Sequence, residues 1–349
     1  MPQSTTRFYP QVLVDNAKRG KIVVVTVLFP AELASLEAEL VTGLAAVENM
    51  LRAEITSDYE LADITARHLV EAGGKRFRPL LVLLASQFGD STAPGVVPSA
   101  VVVELTHLAT LYHDDVMDEA EVRRGAESAN SRWGNTVAIL SGDFLFARSS
   151  KILADLGPEA VRVQAETFER LVIGQLRETT GPVNGEDPVT HHLQVLADKT
   201  GSLIAASGRY GAMMSGVSPE LTDQIAEFGE AIGIAFQLSD DLLDIESTVS
   251  GKTPGTDLRE GIKTLPVLLA LADDSTDARL RELLNKQLTD DAEHAEALAG
   301  LRAHSAMEQA RGVLDEWTDK ARSLAASFPE GDAKLALMTL CDSVARRSI

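Results

Sequence analysis

Two segments of this 349-residue chain repeat one acidic device. In HDDVMDEAEVRRG, Asp114 and Asp118 fall one helical turn apart and share a face, with Asp115 beside them. In FQLSDDLLDI, Asp240, Asp241 and Asp244 repeat the pattern, and Gln237 precedes them at helical spacing on the same side. Carboxylates held this close repel each other unless a cation sits between them. Hard oxygen ligands of this kind suit Mg²⁺, with Mn²⁺ as a substitute, because Mg²⁺ keeps waters and accepts phosphate oxygens as well. One such motif at a helix end reads equally well as solvated acids near a helix terminus. Two of them, each embedded in an apolar helix (VVVELTHLATLYHDD and AIGIAFQLSDDLLD), point instead to ions in a cavity.

The anion side is suggested by GGKRFRP, where Lys75, Arg76 and Arg78 follow Gly73 and Gly74, and Pro79 suits the first turn of the next helix. Backbone amides and cations there can hold a phosphate, although the segment taken alone is also an ordinary basic loop and is not a Walker sequence. His107 lies seven residues before Asp114, two turns away on nearly the same face. Arg123 and Arg124 follow the first acidic cluster directly. The implied chemistry is a metal-bridged diphosphate.

The elements that must position these residues are helical. From Pro30 onward apolar residues recur at three- and four-residue spacing, as in Leu33, Leu36, Leu40 and Leu44, with almost no period-two alternation. Breakers at Gly73-Gly74, Pro94 to Pro98, Gly181 to Pro188, Ser218-Pro219 and Gly251 to Gly255 leave roughly ten helices. The fold class is all-α, one large helical domain over residues 30–349 around a central cavity, preceded by an extension over residues 1–29. The acidic run from Asp273 to Glu296 reads as a solvated helical surface. A formal net charge of −20 excludes a nucleic-acid partner, since phosphate backbones need clustered Lys and Arg. The single cysteine, Cys341, forms neither an internal disulfide nor a zinc cluster and reads as a buried thiol in a reducing cytoplasm. The apolar run from Ile22 to Pro30 is far short of the ~20 residues a membrane span needs, so the expected location is the cytoplasm.

With GGKRFRP, His107, DDVMD followed by RRG, Lys199-Thr200, FQLSDDLLD and GKTPGTDLREGIKTLP in this order, the chain resembles the trans-isoprenyl diphosphate synthase family from about Leu33 to the C-terminus. Within it the resemblance is to the polyprenyl (octaprenyl-like) and geranylgeranyl branch. It implies that Lys75, Arg78, His107 and Arg124 hold isopentenyl diphosphate, while Arg123, Lys199, Thr200, Gln237, Lys252 and Lys263 hold the allylic diphosphate. It implies Mg²⁺ clamped between the acidic clusters, ionisation of the allylic partner, and attack on the resulting cation by the isopentenyl double bond, with Lys199, Thr200 and Gln237 beside the reacting carbons. It also implies a homodimer with at most peripheral membrane contact for product release. The product would be a medium-to-long prenyl diphosphate, octaprenyl to nonaprenyl, for quinone side chains, with geranylgeranyl diphosphate as the alternative.

The length argument rests on the helix before the first cluster. Val103, Thr106, Thr110 and Asp114 form one stripe with Ala109 beside it, and family members that stop early resemble one another in placing an aromatic residue where Thr110 and Ala109 stand here. A floor could still come from Tyr112. Other classes fit less well. A metal phosphohydrolase built on His113-Asp114 with His68 or His107 leaves GGKRFRP and the second acidic motif unexplained. A non-catalytic subunit of a heteromeric synthase should have eroded acidic motifs, and a terpene cyclase needs no second diphosphate pocket. His191 and His192 read as surface residues.

Overall fold

A computed structural model describes residues Leu13–Val14, Ile22–Val23, 29–246 and 254–346. Most of the expected N-terminal extension therefore lies outside the described residues. Within it β1 (Leu13–Val14) pairs antiparallel with β2 (Ile22–Val23). The rest is helical, as the apolar periodicity requires, but it is cut into sixteen α-helices among the described residues rather than roughly ten. The extra breaks fall partly at Gly134 and Gly157, whose positive φ ends a helix without interrupting the apolar pattern.

Contacts divide the chain into two compact units, one of residues up to Val161 with Met213–Gly216, the other of Arg162–Ala212 with Val217–Ile349. In the first, α1 (Ala34–Glu54), α2 (Glu60–Glu71) and α3 (Phe77–Ser86) lead to α4 (Val96–Met117). Nearly every residue of α3 is buried and α4 is apolar on most faces, so α4 is packed from several sides, by α1, α3 and α6 (Asn135–Leu156). Between α4 and α5 (Ala129–Trp133), a short hairpin pairs β3 (Val122–Arg123) with β4 (Ala126–Glu127). Its two turn residues, Arg124 and Gly125, both have positive φ, which explains the RRG sequence in local terms.

The second unit is built on α10 (Pro219–Glu246), which packs against α15 (Ala306–Ser327), α16 (Asp332–Arg346) and a π-helical turn at Ala197–Gly201. That turn joins α8 (Pro188–Leu196) to α9 (Ser202–Met214). Ahead of it runs α7 (Pro158–Thr180), and beyond α10 come α11 (Thr256–Glu260), α12 (Leu265–Ala272), α13 (Ala278–Leu284) and α14 (Asp291–Arg302). The acidic run at Asp273 to Glu296 does form helical surface, but Asp277 and Asp290 also cap α13 and α14, and Leu280, Leu283 and Leu284 are buried. Cys341 is buried, which pushes its thiol up to about 12.

Candidate active site

In the first unit α4 delivers Asp114 and Asp115 in its last turn, and Asp118 follows as the C-cap. Asp115 is fully buried. Its Oδ1 accepts a 2.5 Å bond from Arg123 Nε, while Oδ2 is buried without a hydrogen-bond partner. Burial raises the Asp115 carboxyl above the usual range against the opposing pull of Arg123. An orphaned carboxylate oxygen of this kind is costly unless a cation or donor arrives.

Behind it lies a group of cations. Arg76 is buried, donating from Nη1 to Glu104 Oε1 at 2.8 Å and from Nε to Glu48 Oε2 at 3.1 Å. Its charge is therefore already balanced, and the sequence reading of Arg76 as a phosphate-binding cation gives way to a structural one. Arg78 has no such pairing to its Nε, which is buried and without a partner, and burial pulls its guanidinium down to about 10. Arg124 donates to the carbonyls of Leu69, at 3.0 Å, and Gly73, and its Nη2 lies 4.0 Å from Glu104. Gly74 makes this crowding possible, because a Cβ there would stand 2.9 Å from the Nη1 atoms of both Arg124 and Arg76. Burial, and then repulsion from Arg78, Arg124, Arg76 and Arg123, holds His107 well below its ordinary 6.5. His107 is thus neutral at pH 7 amid positive charge. Lys75 is exposed at the rim of the same loop. This unit brings Arg78, His107 and Arg124 together.

The other histidines considered for a phosphohydrolase are engaged elsewhere. His68 Nε2 meets the Glu127 carbonyl at 2.7 Å, and His113 Nε2 lies 3.2 Å from the Ile139 carbonyl and 3.4 Å from Asp143. Tyr112 is buried with its hydroxyl bonded to the Thr65 carbonyl of α2. Val103, Thr106 and Ala109 are fully buried. The Thr106 hydroxyl is 3.5 Å from that of Ser149 on α6, and Gly142 of α6 sits so close that a Cβ there would be 3.0 Å from the Ala109 carbonyl. Of the residues named for length control, only Thr110 is half-buried.

In the second unit α10 delivers Asp240, Asp241 and Asp244. Gln237 Nε2 donates to Asp241 Oδ1 at 3.1 Å, whereas Asp241 Oδ2 is buried without a hydrogen-bond partner. Asp244 accepts 3.1 Å bonds from the backbone N–H groups of Thr256 and Asp257, so it also anchors the loop that ends at α11. Lys199 and Thr200 lie on the π turn, a feature that recurs at functional sites. The Lys199 amine is paired with Glu178. Lys263 is exposed and donates to Asn285 at 2.9 Å; Lys252 lies outside the described residues.

Two residues were misread or missed. His191 is buried and bonded to Glu186 and the Arg177 carbonyl, and His192 Nε2 stands 3.5 Å from Asp241 Oδ2, so neither is a free surface residue. Their adjacency, read at helical spacing ahead of Lys199, was the available signal. The residues present fit a divalent cation. Each cluster presents one orphaned buried carboxylate oxygen, while among the described residues no three His, Cys, Asp or Glu side chains gather closely enough to hold an ion unaided. A hard cation that completes its shell with water and phosphate oxygens suits such a site. No helix among the described residues is long and apolar enough to cross a membrane.

These features can be set beside known proteins. The family model for polyprenyl synthetase matches residues 60–301. The nonaprenyl diphosphate synthase of Mycobacterium tuberculosis is 48% identical over 90% of this chain and 95% of its own. The crystal structure of geranylgeranyl pyrophosphate synthase from Corynebacterium glutamicum, complexed with calcium and isoprenyl diphosphate, is 43% identical with a TM-score of 0.82, covering 90% of this chain and 98% of that one. A decaprenyl diphosphate synthase from Rhodobacter capsulatus superposes with the same TM-score at 34% identity, over 90% and 99% of the two chains. The paired aspartate motifs, the cation group and these likenesses together establish that the chain belongs to the polyprenyl synthetase family and is an all-α prenyltransferase.

Proposed function

We propose that the chain condenses isopentenyl diphosphate with an allylic diphosphate in a Mg²⁺-dependent reaction, building a medium-to-long product of octaprenyl to nonaprenyl length. The observation that carries the condensation is the pair Arg78 and Arg124 gathered around neutral His107, half-buried positive charge in a chain of net charge −20. Glu48 and Glu104 are already engaged by Arg76, so Arg78 and Arg124 add cationic charge beyond what these two carboxylates balance, and that excess calls for an anionic ligand. Lys75, Arg78, His107 and Arg124 hold the isopentenyl diphosphate, the partner that does not ionise. Arg123, Lys199, Thr200, Gln237, Lys252 and Lys263 hold the allylic diphosphate.

Asp114, Asp115, Asp118, Asp240, Asp241 and Asp244 are the candidate ligands for Mg²⁺. A bound divalent cation supplies charge neutralisation to the departing diphosphate. Lys199 leaves Glu178 to add its charge to the same leaving group. Gln237 fixes one oxygen of Asp241 and so sets the direction of the other. Thr200 and Gln237 offer dipoles to the cationic carbon, and exclusion of water keeps that cation from being quenched. By the same resemblance the working form is a homodimer in the cytoplasm.

The length assignment is supported by the 48% identity to a nonaprenyl diphosphate synthase across nearly the whole chain. The second reading, geranylgeranyl diphosphate, is favoured by the 43% identity to the Corynebacterium enzyme. Incubating the protein with farnesyl diphosphate, excess isopentenyl diphosphate and Mg²⁺ separates them by product length. A product that stops at geranylgeranyl diphosphate refutes the longer assignment, and no incorporation refutes the condensation.

A further inference from the structure

The π turn at Ala197–Gly201 is held by a stripe on α7 for which neither the motifs nor the relatives assign a role. Arg170, Gly174 and Glu178 are spaced four residues apart on α7 and so share a face. Arg170 donates from Nε to Asp198 Oδ1 at 3.0 Å, from Nη1 to Glu230 Oε2 at 2.6 Å, and from Nη2 to the Ala197 carbonyl at 3.3 Å. One guanidinium thus ties the start of the turn to α10. One helical turn further on, a Cβ at Gly174 would stand 2.7 Å from the backbone N of Lys199 and 3.0 Å from the carbonyl carbon of Asp198. Any side chain there would force the turn away. A further turn along, Glu178 pairs with the Lys199 amine.

Asp198 is the anchor on the other side. It is buried, and its second oxygen accepts from Gln194 at 2.9 Å and lies 3.8 Å from Arg177. Its backbone carbonyl accepts a 2.5 Å bond from Ser202. A π turn carries an extra residue and poorer hydrogen bonds than the α-helix on either side of it, so tertiary contacts must fix its register. A one-residue relaxation to α geometry would rotate Lys199 and Thr200 by about 100° about the helix axis.

We infer that Arg170 and Gly174 are positioning residues that set the register of this turn and so aim Lys199 and Thr200 at the allylic diphosphate. This rests on the reading, given above, that Lys199 holds that substrate. Misplacement of such groups by about 1 Å is enough to cost large factors in rate.

The test is steady-state kinetics with farnesyl diphosphate, isopentenyl diphosphate and Mg²⁺ on the full chain, comparing wild type, Lys199→Ala, Arg170→Gln and Gly174→Ala. Arg170→Gln and Gly174→Ala are expected to raise the allylic KM about tenfold and lower kcat, while the isopentenyl KM stays within about twofold. A loss of general folding quality would move both Michaelis constants or neither. If Lys199→Ala raises the allylic KM and the two α7 variants do not, the positioning role is overturned and the Lys199 assignment stands. If Lys199→Ala leaves the allylic KM unchanged, the assignment falls and takes the positioning role with it. An equal rise in both Michaelis constants for Arg170→Gln also overturns it. Should Arg170→Gln fail to fold by circular dichroism, Arg170→Lys is judged by the same split, since it keeps the charge but spans fewer of the three acceptors.

Discussion

His192 Nε2 stands 3.5 Å from Asp241 Oδ2, and both atoms are buried without a hydrogen-bond partner. Gln237 meanwhile fixes the other oxygen of the same carboxylate. Asp241 is therefore held through Oδ1, and Oδ2 faces His192 without being bonded to it and is left for a ligand. Groups that orient a metal ligand typically change metal affinity by about 10- to 100-fold when lost. His192→Phe is expected to raise the Mg²⁺ concentration for half-maximal activity about tenfold while changing turnover at saturating Mg²⁺ much less. A metal titration of initial rates checks this, and an unchanged half-saturation point would detach His192 from the site.

The acidic clusters carry a broader prediction. Asp114→Ala and Asp240→Ala should each lower turnover by orders of magnitude with the fold intact, and a chelator should abolish activity that Mg²⁺ or Mn²⁺ restores. Asp244→Ala should differ from both. Its two oxygens accept the Thr256 and Asp257 amides, so its loss should also lower the melting temperature. Near-normal condensation in Asp114→Ala or Asp240→Ala would remove the two-cluster mechanism.

Arg76 and Arg78, two residues apart, should behave oppositely. Arg76→Met removes the cation shared by buried Glu48 and Glu104 and leaves only Arg52 beside the first and the more distant Arg124 near the second, so the melting temperature should fall by a margin that a melting curve registers. Arg78 is a half-buried cation with its Nε buried and unbonded, its guanidinium already pulled down to about 10, so Arg78→Ala should leave the melting temperature unchanged or higher and raise the isopentenyl KM. An allylic effect alone would reverse the assignment of the two pockets.

The contrast between these neighbours marks how far the sequence could be read. Spacing alone placed Asp114 with Asp118 and Gln237 with Asp241, because residues four apart on a helix must share a face. It also grouped Arg76 with Lys75 and Arg78, since nothing local distinguishes them. What distinguishes them is Glu48 and Glu104, each 28 positions away in sequence, brought in by the packing of α1 and α4. The π turn was hidden for a related reason: it interrupts no apolar pattern, and its determinants, Arg170 and Gly174, lie on another helix. The helix count failed where Gly134 and Gly157 turn the chain through backbone geometry rather than composition.

A pH dependence follows from His107. Its folded-state imidazole is held well below 6.5, by burial first and by four arginines next. As pH falls below about 6.5 the unfolded chain takes up a proton that the folded chain refuses, so stability is full above that value and is lost progressively towards the folded-state value. The melting temperature should therefore drop between about pH 7.5 and 5, and His107→Gln, which cannot titrate, should flatten that drop. Equal slopes in the two proteins would mean that His107 is not the group responsible.

Product length tests the face of α4 nearest the first cluster. Ala109 and Thr110 are the positions where an aromatic residue would act as a floor, but the structure separates them. Ala109 is fully buried against α6, where Gly142 lets the helices approach, so Ala109→Phe adds volume to a filled core. Overpacking of that kind costs about 1–3 kcal/mol and confuses a change in product with a loss of folding. Thr110 is half-buried, and its hydroxyl is bonded 2.8 Å from the His107 carbonyl of its own helix, so this position is less enclosed than Ala109 and better placed to accept a larger side chain. Thr110→Phe is expected to keep the wild-type melting temperature and to shift the product from octaprenyl or nonaprenyl towards geranylgeranyl length. Chromatography of the products made from farnesyl diphosphate and excess isopentenyl diphosphate, with a melting curve for each variant, makes the measurement. If Thr110→Phe folds normally and its product is as long as the wild type's, the growing chain does not pass this face of α4.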